Sequence, residues 1–137
     1  MRVLFHEISF STNKRVQIVD LTGEVRAIAN RWGVSNGMLL VFAPHATASI
    51  ILNEAEPGLE RDILNLFEAV APADVDYHHN RIDNNAHAHL RSVVFPPYVV
   101  IPVRNGKMLL GTWQRIMFVE NDGPRARRTV IVEYIGE

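Results

Sequence analysis

The chain has 137 residues, of which 47% are hydrophobic and 21% charged, proportions that suit one folded domain spanning residues 1–137 and argue against disorder. Lys and Arg number 14 against 15 Asp and Glu, a net charge of −1, and neither half carries the basic excess of a nucleic-acid binder, so no nucleic-acid partner is expected. The absence of cysteine excludes disulfides, thiolate metal sites and thiol nucleophiles. The N-terminus lacks the apolar core of a secretory leader, and no apolar run approaches the ~20 residues that cross a bilayer, so a cytoplasmic protein without a membrane partner is expected.

Val3 to Ser11 and Arg15 to Leu21 are β-branched and aromatic runs parted by Thr12-Asn13-Lys14, a break that predicts two strands joined as a hairpin. Thr22 can cap a helix whose Val25, Ile28, Ala29 and Trp32 fall at i, i+3, i+4 and i+7, with Gly33 placed to end it. Met38 to Ala43 and Ala48 to Asn53 read as buried strands. Pro57 suits the first position of a second helix with Leu59, Ile63, Leu66, Phe67 and Val70 on one face. Residues Ala73 to Asn85 show no period and read as a loop, followed by a short helix over Ala86 to Val94. Tyr98 to Val103 and Lys107 to Leu110 flank Asn105-Gly106, a strong hairpin signal, and Gln114 to Glu120 and Arg128 to Ile135 complete the strands. About eight strands and two or three helices without regular βαβ units predict a single α+β domain on a mostly antiparallel or mixed sheet or sandwich.

Three segments carry residues able to do chemistry. In Pro44-His45-Ala46-Thr47-Ala48-Ser49, an extended chain sets His45, Thr47 and Ser49 on one face, giving one titratable ring and two hydroxyls. The strand after it ends at Asn53-Glu54, an amide and a carboxylate where a loop leaves the scaffold. The plainer alternative for both is a turn that satisfies its own backbone. The second segment holds His78, His79, His87 and His89 with Asp83, ligand types for a divalent metal but at no recognised metal spacing. If residues 83 to 91 are helical, Asp83 and His87 share a face and His89 points elsewhere. In the third, Gln114 and Glu120 share a face on a regular strand, and Asp122-Gly123-Pro124 can turn Asp122 toward Arg125. Arg125 suits bidentate recognition of phosphate or carboxylate. The alternative there is a hairpin turn followed by a solvated cluster of Arg125, Arg127 and Arg128.

Pro44-His45-Ala46-Thr47-Ala48, Asn53-Glu54, Asp83 to Leu90, Gly111-Thr112-Trp113-Gln114 and Glu120 to Arg125, in this order, resemble the YjbQ family, small proteins assigned in part as secondary thiamine-phosphate synthases. The likeness runs from about Ile8 to the C-terminus. Ala46 stands where the family commonly has a hydroxyl or thiol residue, and Asn84 where it often has glycine. The position of His89 in Ala88-His89-Leu90 favours it over His87. The resemblance implies a compact α+β subunit assembled as a homotrimer with polar sites near subunit boundaries. It implies a transfer of hydroxymethylpyrimidine from its pyrophosphate to thiazole phosphate, with loss of pyrophosphate.

For that reaction the expected catalytic residues are His45, Glu54, His89 and Asp122, and the expected substrate-binding residues are Thr47, Asn53, Asn85, Gln114 and Arg125. Mg²⁺ near Glu54 or Asp122 fits a clamp on the leaving group, another divalent metal staying open and no metal ligand being assigned. The partner is then a small phosphorylated metabolite. Two other readings stay open: a metal-dependent hydrolase of a phosphorylated metabolite, and a non-catalytic trimeric binder of a small anionic metabolite.

Overall fold

A computed structural model describes residues 1–137. Its strands are β1 (Arg2–Thr12), β2 (Gln17–Asp20), β3 (Gly37–Phe42), β4 (Ala48–Asn53), β5 (Tyr98–Arg104), β6 (Lys107–Met108), β7 (Arg115–Glu120) and β8 (Arg125–Gly136). The helices are α1 (Thr22–Trp32), α2 (Pro57–Val70) and α3 (Ala86–Val94), with one 3₁₀ turn over His78–Arg81 inside the expected loop. The result is an α+β domain with a five-stranded sheet, β1-β8-β3-β5-β6, and a three-stranded sheet, β2-β7-β4, antiparallel throughout. No helix is long and apolar enough to cross a membrane.

The two-residue period of the strands sorts their side chains by face. Leu39 and Val41 of β3, Ile101 and Val103 of β5, and Val130, Val132 and Tyr134 of β8 meet Ile50 of β4 and Ile116 and Phe118 of β7, and Leu21, Val25, Ile28 and Ala29 close the core. The opposite face of β7, Met117 and Val119, is also fully buried. There α3 lies against β4, where Ser92 Oγ donates to Ala48 O at 2.7 Å and Ser49 Oγ to Phe95 O at 2.6 Å.

The outer face of the larger sheet is apolar and open. Register aligns Val3, Ile135, Met38 and Pro102 in one row and Phe5, Glu133, Leu40 and Val100 in the next. Val3, Phe5, Met38, Val100 and Ile135 are all exposed.

Local signals held where they rest on short-range chemistry. Asn105 and Gly106 take positive φ of 51° and 78° and join β5 to β6, as a tight hairpin turn requires. Pro57 opens α2, and the Glu56 carboxylate accepts from Leu59 N–H at 2.6 Å. Thr22 is not the cap of α1 but its first residue, and its Oγ1 instead accepts from Ile116 N–H at 2.7 Å.

The expected β1–β2 hairpin is absent. β1 pairs with β8, and β2 with β7 in the other sheet. An 11-residue strand finds a far longer ladder on the 12-residue β8 than on the four-residue β2. For the same reason Asp122-Gly123-Pro124 is a link between sheets, not a hairpin turn.

Leu39 is wholly buried at the centre of this core. Leu39→Ala should cost about 2–5 kcal/mol in urea unfolding, and a loss under about 1 kcal/mol, within the range of surface changes, would mean that β3 presents its other face to the interior.

Candidate functional site

In the smaller sheet Ala48 stands opposite Glu120 and Asn53 opposite Arg115. Five residues at ~3.4 Å each part the two ends of β4 by about 17 Å. The chemistry-bearing residues gather at both ends, in two separate clusters.

The first cluster is built on an ion pair between the sheets. Glu120 has no exposed surface and Arg128 only 5%. Arg128 donates through Nε to Glu120 Oε1 at 2.8 Å and through Nη2 to Oε2, and Nη2 also donates to Thr47 Oγ1 at 3.0 Å. Thr12 Oγ1 donates to Glu120 Oε1 at 2.7 Å, and Asp122 N–H donates to Oε2 at 3.1 Å. Burial alone would raise the Glu120 pKa, yet the bonds from Arg128, Thr12 and Asp122 hold it below the carboxylate's ordinary value. With this many donors on one carboxylate, Glu120 acts as a scaffold and has little capacity left as a base.

Asp122 stands two residues on and is 6% exposed. Its Oδ2 accepts from Arg125 Nη2 at 2.6 Å and Asn85 Nδ2 at 2.8 Å, while Arg15 Nη1 lies 3.3 Å from Oδ1. Against the upward push of burial, the bonds from Asn85 and Arg125 and the two arginine charges lower its pKa. Arg15 reaches the site because Gly123 lets the backbones touch: a Cβ on Gly123 would lie 2.0 Å from Lys14 O, and Gly123 N–H donates to Arg15 O at 2.9 Å. The side chains of Arg15 and Arg125 remain 50% and 46% exposed, two cationic forks anchored on one carboxylate and open to solvent.

Asn85 extends the network toward the histidines. Its Oδ1 lies 3.1 Å from His79 Nε2, and the His79 ring meets His89 edge-on with centroids 4.8 Å apart. Tyr77, His78, His79, Ala86, His89 and Leu90 line an open cavity of about 430 Å³. His87 instead turns inward and is buried, where burial and then the charges of Arg91 and Arg15 depress its pKa. Asp83 precedes α3 and does not share a helical face with His87; it is exposed and accepts from Asn84 N–H at 2.8 Å. His78 is likewise outside the network, with Nδ1 3.2 Å from Arg81 Nη2.

His45 borders the cluster through β8. Its Nε2 lies 2.9 Å from Thr129 N and 3.1 Å from Thr129 O, so it accepts from the amide in one tautomer and donates to the carbonyl in the other. Burial first and the Arg128 charge second lower its pKa. Thr47 thus bonds to Arg128, and Asn85 and Arg125 bond to Asp122, while His45 feels the Arg128 and Arg125 charges and His89 meets the network through His79.

The expectations for Asn53, Glu54 and Gln114 turn out differently. β7 begins at Arg115, after Gln114, so Gln114 and Glu120 do not share a face; Gln114 is exposed and its Oε1 accepts from Gly111 N–H at 2.8 Å. Asn53 Oδ1 accepts from Glu54 N–H at 2.8 Å. Asp20, Glu54, Glu56, Thr112, Trp113 and Arg115 line a second cavity of about 550 Å³, with Trp113 70% exposed. Within one chain these residues do not meet His45, Asp122 and Arg125.

Arg15 and Arg128 entered no expected site, and His79 entered only as one of the possible metal ligands. The period of β8, with Arg128, Val130, Val132 and Tyr134 all buried, was the available signal that Arg128 points inward and is not part of a solvated arginine cluster. Asn121 is also fully buried, and neither its Nδ2 nor its Oδ1 has a hydrogen-bond partner in the chain. No three His, Asp or Glu side chains are grouped so as to hold a metal ion.

Residues 6–137 match the family model described as UPF0047 protein YjbQ-like. The chain belongs to the YjbQ-like UPF0047 family. A UPF0047 protein of Archaeoglobus fulgidus is 45% identical over 126 residues, covering 91% of this chain and 97% of its own. UPF0047 protein YugU of Bacillus subtilis is 38% identical over 127 residues, covering 90% and 94%. Among solved structures, a YbjQ-like protein of unknown function from Sulfolobus solfataricus superposes with a TM-score of 0.98 at 43% identity, covering 99% of both chains. A hypothetical protein of Aeropyrum pernix K1 does so with a TM-score of 0.94, also at 43% identity, covering 98% and 99%. The YjbQ-like membership therefore fixes the fold.

The ionisable groups give this fold a two-stage acid response. Half-buried His45 and buried His87 have folded pKa values below their ordinary 6.5, so the unfolded chain binds protons first and stability falls as pH drops below about 6.5. Glu120 and Asp122 are also depressed, so their stabilisation is intact above the ordinary carboxylate values of 4.5 and 3.8 and is lost as pH falls further. A thermal melt should show a shallow decline between pH 7 and 5 that His87→Gln reduces, then a steep one below pH 4. A melting temperature constant from pH 7 to 3 would contradict this.

Proposed function

We propose that the cluster of His45, Asn85, His89, Asp122 and Arg125 binds a small phosphorylated metabolite and transfers hydroxymethylpyrimidine from its pyrophosphate to thiazole phosphate. The observation that carries this reading is the pair of half-exposed guanidinium groups, Arg125 and Arg15, held by the buried Asp122 carboxylate and linked through Asn85 to the histidine-lined cavity. Cations fixed in advance on a buried carboxylate are suited to a polyanionic leaving group, because little reorganisation is needed when charge develops.

In the reaction, the lone pair of the thiazole nitrogen attacks the exocyclic methylene of the pyrimidine. The carbon–oxygen bond to pyrophosphate breaks, and its electron pair leaves with the pyrophosphate. Arg125 spends Nε and Nη2 on Asp122, so its remaining donors and those of Arg15 face the departing oxygens. His45, turned by Nε2 onto the Thr129 backbone and with its pKa lowered by burial and the Arg128 charge, serves as a polar contact and not as a strong acid. His89, at the cavity wall, is the ring placed to protonate the leaving oxygen or to stack on a planar heterocycle.

Mg²⁺ suits this donor set if it arrives with the substrate, since that ion keeps several waters and takes one or two carboxylates beside phosphate oxygens. It would supply neutralisation of the pyrophosphate charge. Asp122 is committed to arginines and an amide, and Glu54, the other expected carboxylate, lies in the Trp113 cavity at the far end of β4, so it could join the arginines only from a second copy. The setting is a cytoplasmic homotrimer, and the exposed apolar rows on the larger sheet support self-association.

One observation favours a second reading, a non-catalytic binder of a small anion: Glu120 and Asp122 are both engaged by several donors and offer no ready base. Purified protein given both precursors should form thiamine phosphate and pyrophosphate, and Arg125→Ala and His89→Ala should each slow this by on the order of 10²-fold. Tight binding of pyrophosphate without any product would overturn the transferase in favour of the binder.

A further inference from the structure

We infer that the cavity between α1 and the β5–β6 turn is a second anion site, built for a small phosphate monoester and independent of the transferase reading. Arg26, Ala29, Asn30, Gly106, Lys107 and Met108 line a space of about 320 Å³, the size of a small-ligand site. Arg26 and Asn30 stand one turn apart on α1 and so share a face, while Lys107 comes from β6 across the cavity. No carboxylate lines this space, and neither Arg26 nor Lys107 takes part in an ion pair. Two like charges around one small space are unfavourable until an anion joins them.

Both walls are fixed before a ligand arrives. Gly106 N–H donates to Ser35 O at 2.9 Å and Asn105 N–H to Asn36 Oδ1 at 3.1 Å, which ties the turn to the segment that follows α1. Preorganisation of this kind lowers the cost of binding. The C-terminal half of α1 would by itself disfavour an anion, because the helix dipole is negative there. Arg2 offsets that end by donating to Trp32 O at 2.6 Å and to Gly33 O at 2.9 Å. The Arg26 fork suits two phosphate oxygens, Lys107 adds a point charge and the Asn30 amide adds donors. Buried Ala29 and half-buried Met108 supply an apolar wall for the organic part of an ester.

This cavity is remote from the Arg125 cluster. Gly37 stands opposite both Gly136 and Val103, and Val103 leads into the turn, so the cavity lies toward the Gly136 end of β8. Arg125 opens that 12-residue strand, and its length parts the two places by about 37 Å. Arg15 and Arg125 therefore do not serve this site. Two cations without an acidic neighbour match a dianion, and a phosphate monoester, with a second pKa of about 6, is mostly dianionic at pH 7.

The test is an amide NMR titration of the full chain with phenyl phosphate, inorganic phosphate and dimethyl phosphate in turn, with chloride holding the ionic strength constant. With phenyl phosphate the amides of Asn30, Gly106 and Lys107 should shift along a saturating curve, read separately from that of Arg15 and Asn85. Arg26→Gln and Lys107→Gln should each weaken binding at these amides by roughly tenfold or more, the loss expected of one charge-assisted bond. Both variants should melt as the parent does, since Arg26 and Lys107 are exposed. Phenyl phosphate should bind more tightly than inorganic phosphate, because Ala29 and Met108 cover its ring, and more tightly than the monoanionic dimethyl phosphate. No saturating shift at these amides, or a curve that both substitutions leave unchanged, would overturn the inference. Equal or tighter binding of inorganic or dimethyl phosphate would overturn the assignment to a monoester.

Discussion

The arrangement of this domain depends on one buried ion pair, Glu120 with Arg128. Glu120 ends β7 in the smaller sheet and Arg128 lies in β8 of the larger, so the pair ties the sheets together at one end of the core. Thr12 from β1, Thr47 from the segment before β4 and the Asp122 backbone all bond to one partner or the other. A buried pair of this kind adds little net stability over an apolar replacement, whereas removing one partner alone typically costs about 3–5 kcal/mol. What it contributes here is position: the turn after β7 starts from a fixed point, and Asp122 inherits that precision.

From Asp122 the order spreads outward with falling burial. Asn85, Arg125 and Arg15 are each held by its carboxylate, and His79 and His89 follow through Asn85. The inner members are fixed and fully bonded, while the outer ones keep free donors and solvent access. That gradient leaves free donors on the half-exposed Arg15 and Arg125 and commits the buried carboxylates, which is the ground for the proposed roles of Arg15, Arg125, His45 and His89.

Much of the fold was legible in the sequence because its signals are local. The continuous apolar run of β3, the 3.6-residue period of α1 and the Asn105-Gly106 turn are each decided within a few residues. Pairing was not legible, since the choice of β8 over β2 as the partner of β1 is made by strand length and by a contact across the whole chain. The site was legible in kind but not in place. Asp122 and Arg125 are three residues apart and had to be near each other, and they are. Gln114 and Glu54 were grouped with them by order along the chain, and order does not reveal that a six-residue strand carries its two ends to opposite sides of the sheet. Arg15 was missed because it joins the cluster through a partner distant in sequence, whereas His79, named among the possible metal ligands, joins it through the nearby Asn85.

The central claim is that Arg15 and Arg125, fixed by Asp122, form the anion seat of this YjbQ-like protein. The most direct measurement is a crystal structure grown with pyrophosphate. The account predicts the anion within hydrogen-bonding distance of both guanidinium groups, at the mouth of the cavity walled by His79 and His89. Pyrophosphate bound at the Trp113 cavity without touching either arginine would contradict it.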